Sequence, residues 1–212
     1  MRSRGFLAAC IIAIVLILDQ ALKIWIKTHF YLGEDIEILS WFHLLFIENN
    51  GMAFGMTIGS KLLLTLFRIA AVSFLVWYIV RICRLRTVPT GYLVCLALIT
   101  AGAAGNIFDC VFYGVIFNNP MPPQTATLFP VAGGYAPWLM GRVVDMLYFP
   151  LFSFTWPEWI PWLGGGEFLF FNPVFNLADA AISVGIFILI LFYHNYIQSP
   201  KALEQHGSIT AE

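Results

Sequence analysis

Four uncharged or nearly uncharged stretches of membrane-crossing length constrain everything else about this chain. A helix rises ~1.5 Å per residue and the hydrocarbon of a bilayer is ~30 Å thick, so about 20 mostly apolar residues make one span. Residues 6–26, 62–82, 91–113 and 176–197 each meet that requirement. With 60% hydrophobic and only 11% charged residues over 212 positions, the composition is that of an integral membrane protein rather than a soluble domain. Arg2 and Arg4 ahead of the first stretch resemble the start of a cleavable leader. "DQALKIW" follows it with no small-x-small cleavage site, so a retained helix is expected.

The basic residues orient these spans. Arg2 and Arg4 precede span one, Arg81, Arg84 and Arg86 lie between spans two and three, and Lys201 follows span four. In an even-numbered bundle all of them share one side, which the positive-inside rule makes cytoplasmic. The expected fold is therefore an all-α membrane protein of four transmembrane helices with both termini cytoplasmic. Its single domain, 1–212, has outer loops at 27–61 and 114–175. No basic run points to nucleic acid, and Cys10, Cys83, Cys95 and Cys110 show neither CxxC nor Cys/His ligand spacing, so no metal site is expected.

Ionisable residues inside such spans are costly, about 2.5–3.5 kcal/mol or more at the bilayer centre, and usually pair, face the bundle interior or carry function. Here they are Asp19 and Lys23 in span one, Arg68 in span two, Asp109 late in span three and Asp179 at the start of span four. Alternate spans run in opposite directions, so all five fall in one layer near the outer surface. Each also has a plain explanation. Asp19 and Lys23 are four apart, the spacing of an ion pair on one helix face. Arg68 can snorkel outward or pair with Asp19. Asp179 suits a helix N-terminus, and Asp109 with Asn106 can close a helix end. None of these explains why so many polar groups share a layer.

The outer segments are not simple linkers. After the Pro- and Gly-rich "NNPMPPQTATLFPVAGGYAPW" comes an aromatic-dense stretch that includes Trp156, Trp159, Trp162, Phe168, Phe170 and Phe171. Such residues seat themselves at a membrane interface and could also roof a groove for a lipid-bearing substrate. "LFSFTW" and "EFLFFN" carry β-favouring aromatics, so some β structure is expected in the outer loops.

Five motifs, "LDQALKIW", "ENNGMAFG", "AGAAGNIFD", "GRVVDMLYFP" and "FNLADAAISVG", occur in an order and topology that resemble the lipoprotein signal peptidase (signal peptidase II) family over nearly the whole chain. The resemblance implies a bacterial inner-membrane aspartic endopeptidase. Its substrates would be diacylglyceryl-modified prolipoproteins, cleaved just before the lipidated Cys on the periplasmic side. No cofactor or metal is implied, and the expected partners are these substrates and membrane lipids, with the protein a monomer. The implied catalytic pair is Asp145 and Asp179. Supporting residues carried over from the motifs are Asp19, Lys23, Asn49, Gly51, Asn106, Asp109 and Asn176.

Two features depart from the family pattern. Cys110 stands where the family often has Arg, with Arg142 a candidate to take over that residue's contact to a substrate backbone, and the segments between Asp109 and Asp145 and from 149 to 172 are long. Two readings outside this family are a small ion- or proton-coupled transporter and a non-catalytic membrane assembly factor. The first usually shows internal repeats around a mid-bilayer site, and none is evident.

Overall fold

The computed structural model describes residues 2–50, 61–85, 88–170 and 172–198. Gly51, Arg86, Phe171 and Lys201 lie outside them. Among the described residues four helices are long and apolar enough to cross a membrane. They are α1 (Arg2–His29), α2 (Lys61–Ile82), α3 (Thr90–Phe108) with its continuation, and α5 (Leu177–Gln198). Beyond Phe108 the helix widens into one π-helical turn, Asp109–Tyr113, and ends in the short α4, Gly114–Ile116. Large apolar side chains such as Ile17, Phe67, Phe74 and Phe187 are exposed along the helices, as a lipid-facing surface requires.

Helix α3 is the central one, packed against α1, α2 and α5. Its seams with α5 and α1 depend on small residues: a Cβ on Gly102 would lie 2.2 Å from the Ala178 carbonyl oxygen of α5, and one on Gly105 would lie 2.6 Å from Asp19 Oδ2 of α1. Close approach of backbones is how helices associate where lipid removes the hydrophobic drive. One apolar cluster, including Ile79, Ile82, Leu93, Leu96 and Leu189, fills the end of the bundle that carries Arg4 and Arg84. At that end the Arg4 guanidinium donates to the carbonyls of Leu85 and Val88, fastening α1 to the α2–α3 connection.

The opposite end is capped by an antiparallel sheet in the order β1 (Asp35–Leu39), β2 (Phe42–Asn49), β3 (Val143–Tyr148) and β6 (Val174–Phe175). A second apolar cluster of Ile26, Phe30, Phe46, Tyr113, Phe117, Val144 and Met146 seals this sheet onto the helix ends. Strands β4 (Phe152–Thr155) and β5 (Glu167–Phe170) form a separate two-stranded hairpin, the pairing expected from their aromatic sequences. Trp159 and Trp162 near its tip are largely exposed.

The four-stranded sheet goes beyond the expected architecture, which kept Asp145 on a loop. Asp145 is instead on β3, opposite Ile47 of β2. Because β6 pairs with the end of β3 through Phe175 and Leu147, the chain leaves the sheet at Asn176 and enters α5 at once. That short connection delivers the start of α5 to the Asp145 side chain.

Candidate active site

The helix start itself builds part of the site. Asn176 is the N-cap of α5: its side-chain oxygen accepts the Asp179 N–H at 2.9 Å, and its backbone carbonyl accepts the Ala180 N–H. Capping satisfies an N–H that the first helical turn leaves without an intrahelical acceptor. The next orphan donor, Ala178 N–H, is taken by Asp19 Oδ1 of α1 at 2.9 Å. Asp179 in the first turn also sits where the helix dipole favours a carboxylate.

With its oxygen committed to the cap, the Asn176 amide nitrogen points the other way. It donates to Asp145 Oδ1 at 2.6 Å, to Asn106 Oδ1 at 3.1 Å and to the Val144 carbonyl at 3.2 Å. Asn106 on α3 in turn donates to Asp179 Oδ1 at 2.7 Å. Asn49 at the end of β2 donates to the other Asp145 oxygen at 2.5 Å. The two carboxyls therefore belong to one network, bridged by Asn176 and Asn106, with three elements from distant parts of the chain meeting at Asp145. Both Asp145 oxygens accept an amide N–H, whereas the contact described at Asp179 uses Oδ1.

Beneath the pair lies a buried charge cluster. Lys23 Nζ contacts Asp19 Oδ2 at 3.0 Å and Asp109 Oδ2 at 2.8 Å, and donates to Asn106 Oδ1 at 2.9 Å. All three charged side chains are within 1% of complete burial. Gln20 donates to Asp19, to Asp109 and to the Gly105 carbonyl, and accepts from the Tyr113 hydroxyl. Asp109 accepts the Val144 N–H as well, which ties the π turn to β3. Four members of the polar layer expected from the sequence, Asp19, Lys23, Asp109 and Asp179, thus belong to one hydrogen-bonded body. The wider helical turn at Asp109–Tyr113 contributes both Asp109 and Tyr113 to it, as π turns often do at functional sites.

Electrostatics separate Asp145 from an ordinary carboxylate. Burial first, and then the neighbouring Asp179 carboxylate, push it up to about 7, against the opposing hydrogen bonds from Asn49 and Asn176. A carboxyl held in this range can carry a proton at neutral pH, the property a general acid needs.

Of the residues singled out from sequence, Asp19, Lys23, Asn49, Asn106, Asp109, Asp145, Asn176 and Asp179 join this assembly, and Gly51 lies outside the described residues. Asp109 and Asn106 do not simply close a helix end, since each reaches to other elements. The Arg142 guanidinium pairs with Glu48 at 3.0 Å, while Arg68 of α2 approaches the Cys110 sulfur at 3.6 Å. Gln20 and Tyr113 were not anticipated. A glutamine beside Asp19 within a membrane span was the available signal for the first.

The chain as a whole is similar to known proteins. The model of the family described as signal peptidase (SPase) II matches residues 11–194. The chain belongs to the signal peptidase II family. A protein named lipoprotein signal peptidase from Porphyromonas gingivalis is 48% identical over 190 residues, covering 90% of this chain and 84% of that one. One of the same name from Amoebophilus asiaticus is 37% identical over 203 residues, covering 93% and 81%. A solved bacterial membrane enzyme superposes with a TM-score of 0.58 at 22% identity, over 88% of this chain and 93% of its own, a likeness in fold. Membership of this peptidase family turns the buried polar layer into a candidate for hydrolytic chemistry.

Proposed function

We propose that this protein is an aspartic endopeptidase that removes signal peptides from diacylglyceryl-modified prolipoproteins, with Asp145 and Asp179 as its catalytic dyad. The observation that carries the assignment is the Asn176–Asn106 bridge, which joins the two carboxyls of the family's motifs in one network. Two nearby carboxyls do not both ionise cheaply, so one proton is held between them. A water held between them loses a proton to the ionised member as it attacks the scissile carbonyl carbon. The protonated member donates to the carbonyl oxygen. Collapse of the tetrahedral intermediate breaks the C–N bond and returns a proton to the leaving amine. Asn49, Asn106 and Asn176 hold the carboxyls in register for these transfers, and the Lys23 cluster supports Asn106 from below.

The distribution of basic residues supports cytoplasmic termini in a bacterial inner membrane, with the dyad at the periplasmic end. A site there lets a signal helix lie in the bilayer while the diacylglyceryl chains remain in hydrocarbon. The whole chain acts as one domain and as a monomer, and the β4–β5 hairpin covers the cleft at the lipid surface. The substrate class is tested with purified protein in detergent and paired precursors, one carrying diacylglyceryl on the Cys and one unmodified. Mass spectrometry should find cleavage before the lipidated Cys in the first alone. Equal cleavage of both precursors, or of neither, would remove the assignment.

A further inference from the structure

A second charge group, with Lys27 and Glu48 buried and Arg142 partly exposed, lies on the far side of the β2–β3 ribbon from the carboxyl pair. Side chains alternate between the two faces of a strand. Asn49 and Asp145 therefore share one face with Ile47 and Val143, while Glu48 and Val144 share the other with Phe46 and Met146. On that second face Glu48, 3% exposed, pairs through Oε1 with Lys27 of α1, itself 2% exposed, and through Oε2 with the Arg142 guanidinium at 3.0 Å. The Lys27 ammonium is caged by the rings of Phe46, Phe117 and Tyr135 at 5.3–5.7 Å from their centroids. The Arg142 guanidinium stacks at 5.3 Å on that same Tyr135, whose hydroxyl accepts the Arg142 backbone N–H. Three elements converge here as they do at the dyad: α1, the end of β2 and the residue just before β3.

Two charges flanking one carboxylate fix both of its oxygens, so the Glu48 side chain has one position. Its backbone is then fixed too, and Asn49 is the next residue. We propose that Lys27, Glu48 and Arg142 are positioning residues for the peptidase reaction. Through Glu48 they hold Asn49 against Asp145, and through Arg142 they anchor the start of the strand that carries Asp145. The inference rests on the dyad reading above. None of the three contacts Asp145 or Asp179 in the structure's described interactions, so their effect on turnover passes through the strands.

The test compares Glu48→Gln, Asn49→Ala and their combination in the precursor-cleavage assay. A small displacement of a positioned group costs about 10- to 100-fold in turnover. Glu48→Gln is expected to lower kcat by that much with KM unchanged within about twofold, and to add nothing further to Asn49→Ala. Glu48→Gln leaves Lys27 buried beside a neutral partner, so Lys27→Met with Glu48→Gln is included to remove both charges. That double variant should accumulate as a folded protein and remain slow. Multiplying effects of Glu48→Gln and Asn49→Ala, or wild-type kcat in the double variant, would overturn the proposal. Asp145→Asn is run beside them. If it cleaves at the wild-type rate, the dyad reading fails and this proposal with it; if it is inactive, the Glu48 series bears on positioning alone.

Discussion

Replacing Asp145 with Asn should destroy activity and yet stabilise the protein at alkaline pH. Asp145 titrates near 7 in the folded state against 3.8 for an unperturbed aspartate. Below pH 3.8 both folded and unfolded chains hold the proton, and no penalty exists. As the pH rises the unfolded chain releases the proton first, so stability falls between about 4 and 7 and then levels off. At about 1.4 kcal/mol per pH unit this gap amounts to about 4 kcal/mol at pH 8. Asparagine removes the charge but offers a single acceptor oxygen to the two donors, Asn49 and Asn176. One unsatisfied buried donor costs about 1–3 kcal/mol, which leaves a net gain of about 1–3 kcal/mol. Thermal unfolding of both proteins in the same detergent, at pH 4.5 and pH 8, reads the difference at about 2–4 °C per kcal/mol for a chain of this size. Asp145→Asn should melt higher than wild type at pH 8 and no higher than wild type at pH 4.5, where most of the ionisation penalty has gone and the unsatisfied donor remains. Equal or lower stability at both pH values would show that Asp145 is not held against ionisation, and the argument from its burial would fail.

Lys23→Met leaves Asp19 and Asp109 buried without their shared cation; a loss of about 3–5 kcal/mol is expected, read as a large drop in unfolding temperature and in folded yield. Asn176→Ala removes the α5 cap and the bridge to Asp145 together. It should cost about 1–2 kcal/mol in stability and lower kcat more than that loss alone explains, measured by unfolding and cleavage on one preparation. Gly102→Ala places a methyl 2.2 Å from the Ala178 carbonyl oxygen, so α5 must shift just ahead of Asp179; about 1–3 kcal/mol of destabilisation should come with slower cleavage.

The bundle was legible because a span announces itself by length: the four apolar runs correspond to α1, α2, the extended α3 and α5. The Asp19–Lys23 pair was legible for a similar reason, since four residues bring two side chains onto one helix face. Asp109 as their third member was not, because it depends on how α3 packs against α1 and on a π turn without a local sequence signature. The β4–β5 pairing followed from aromatic content. The larger sheet did not, because β2, "FHLLFIEN", and β3, "VVDMLY", are fully apolar over only part of their length and pair across 93 intervening positions, with a register irregularity between Leu44 and Ile47. Asp145 was identified through a motif resemblance, while its place on a strand came only with the coordinates. The Lys27–Glu48–Arg142 group was hidden for the same reason: its members are isolated charges in sequence and become one ion-paired group only when α1, β2 and β3 meet.

The central claim is that Asp145 and Asp179 act as one catalytic unit, and single and double Asn substitutions test it most directly. Asp145→Asn, Asp179→Asn and the double variant would be purified alongside wild type and assayed on the diacylglyceryl-modified precursor, with accumulation and membrane insertion measured in parallel. Each single variant is expected to insert normally and to lose cleavage to the level of the double variant, because either carboxyl without the other has no proton to exchange through the water. Wild-type cleavage by either single variant, or loss of cleavage only in proportion to loss of inserted protein, would contradict the dyad.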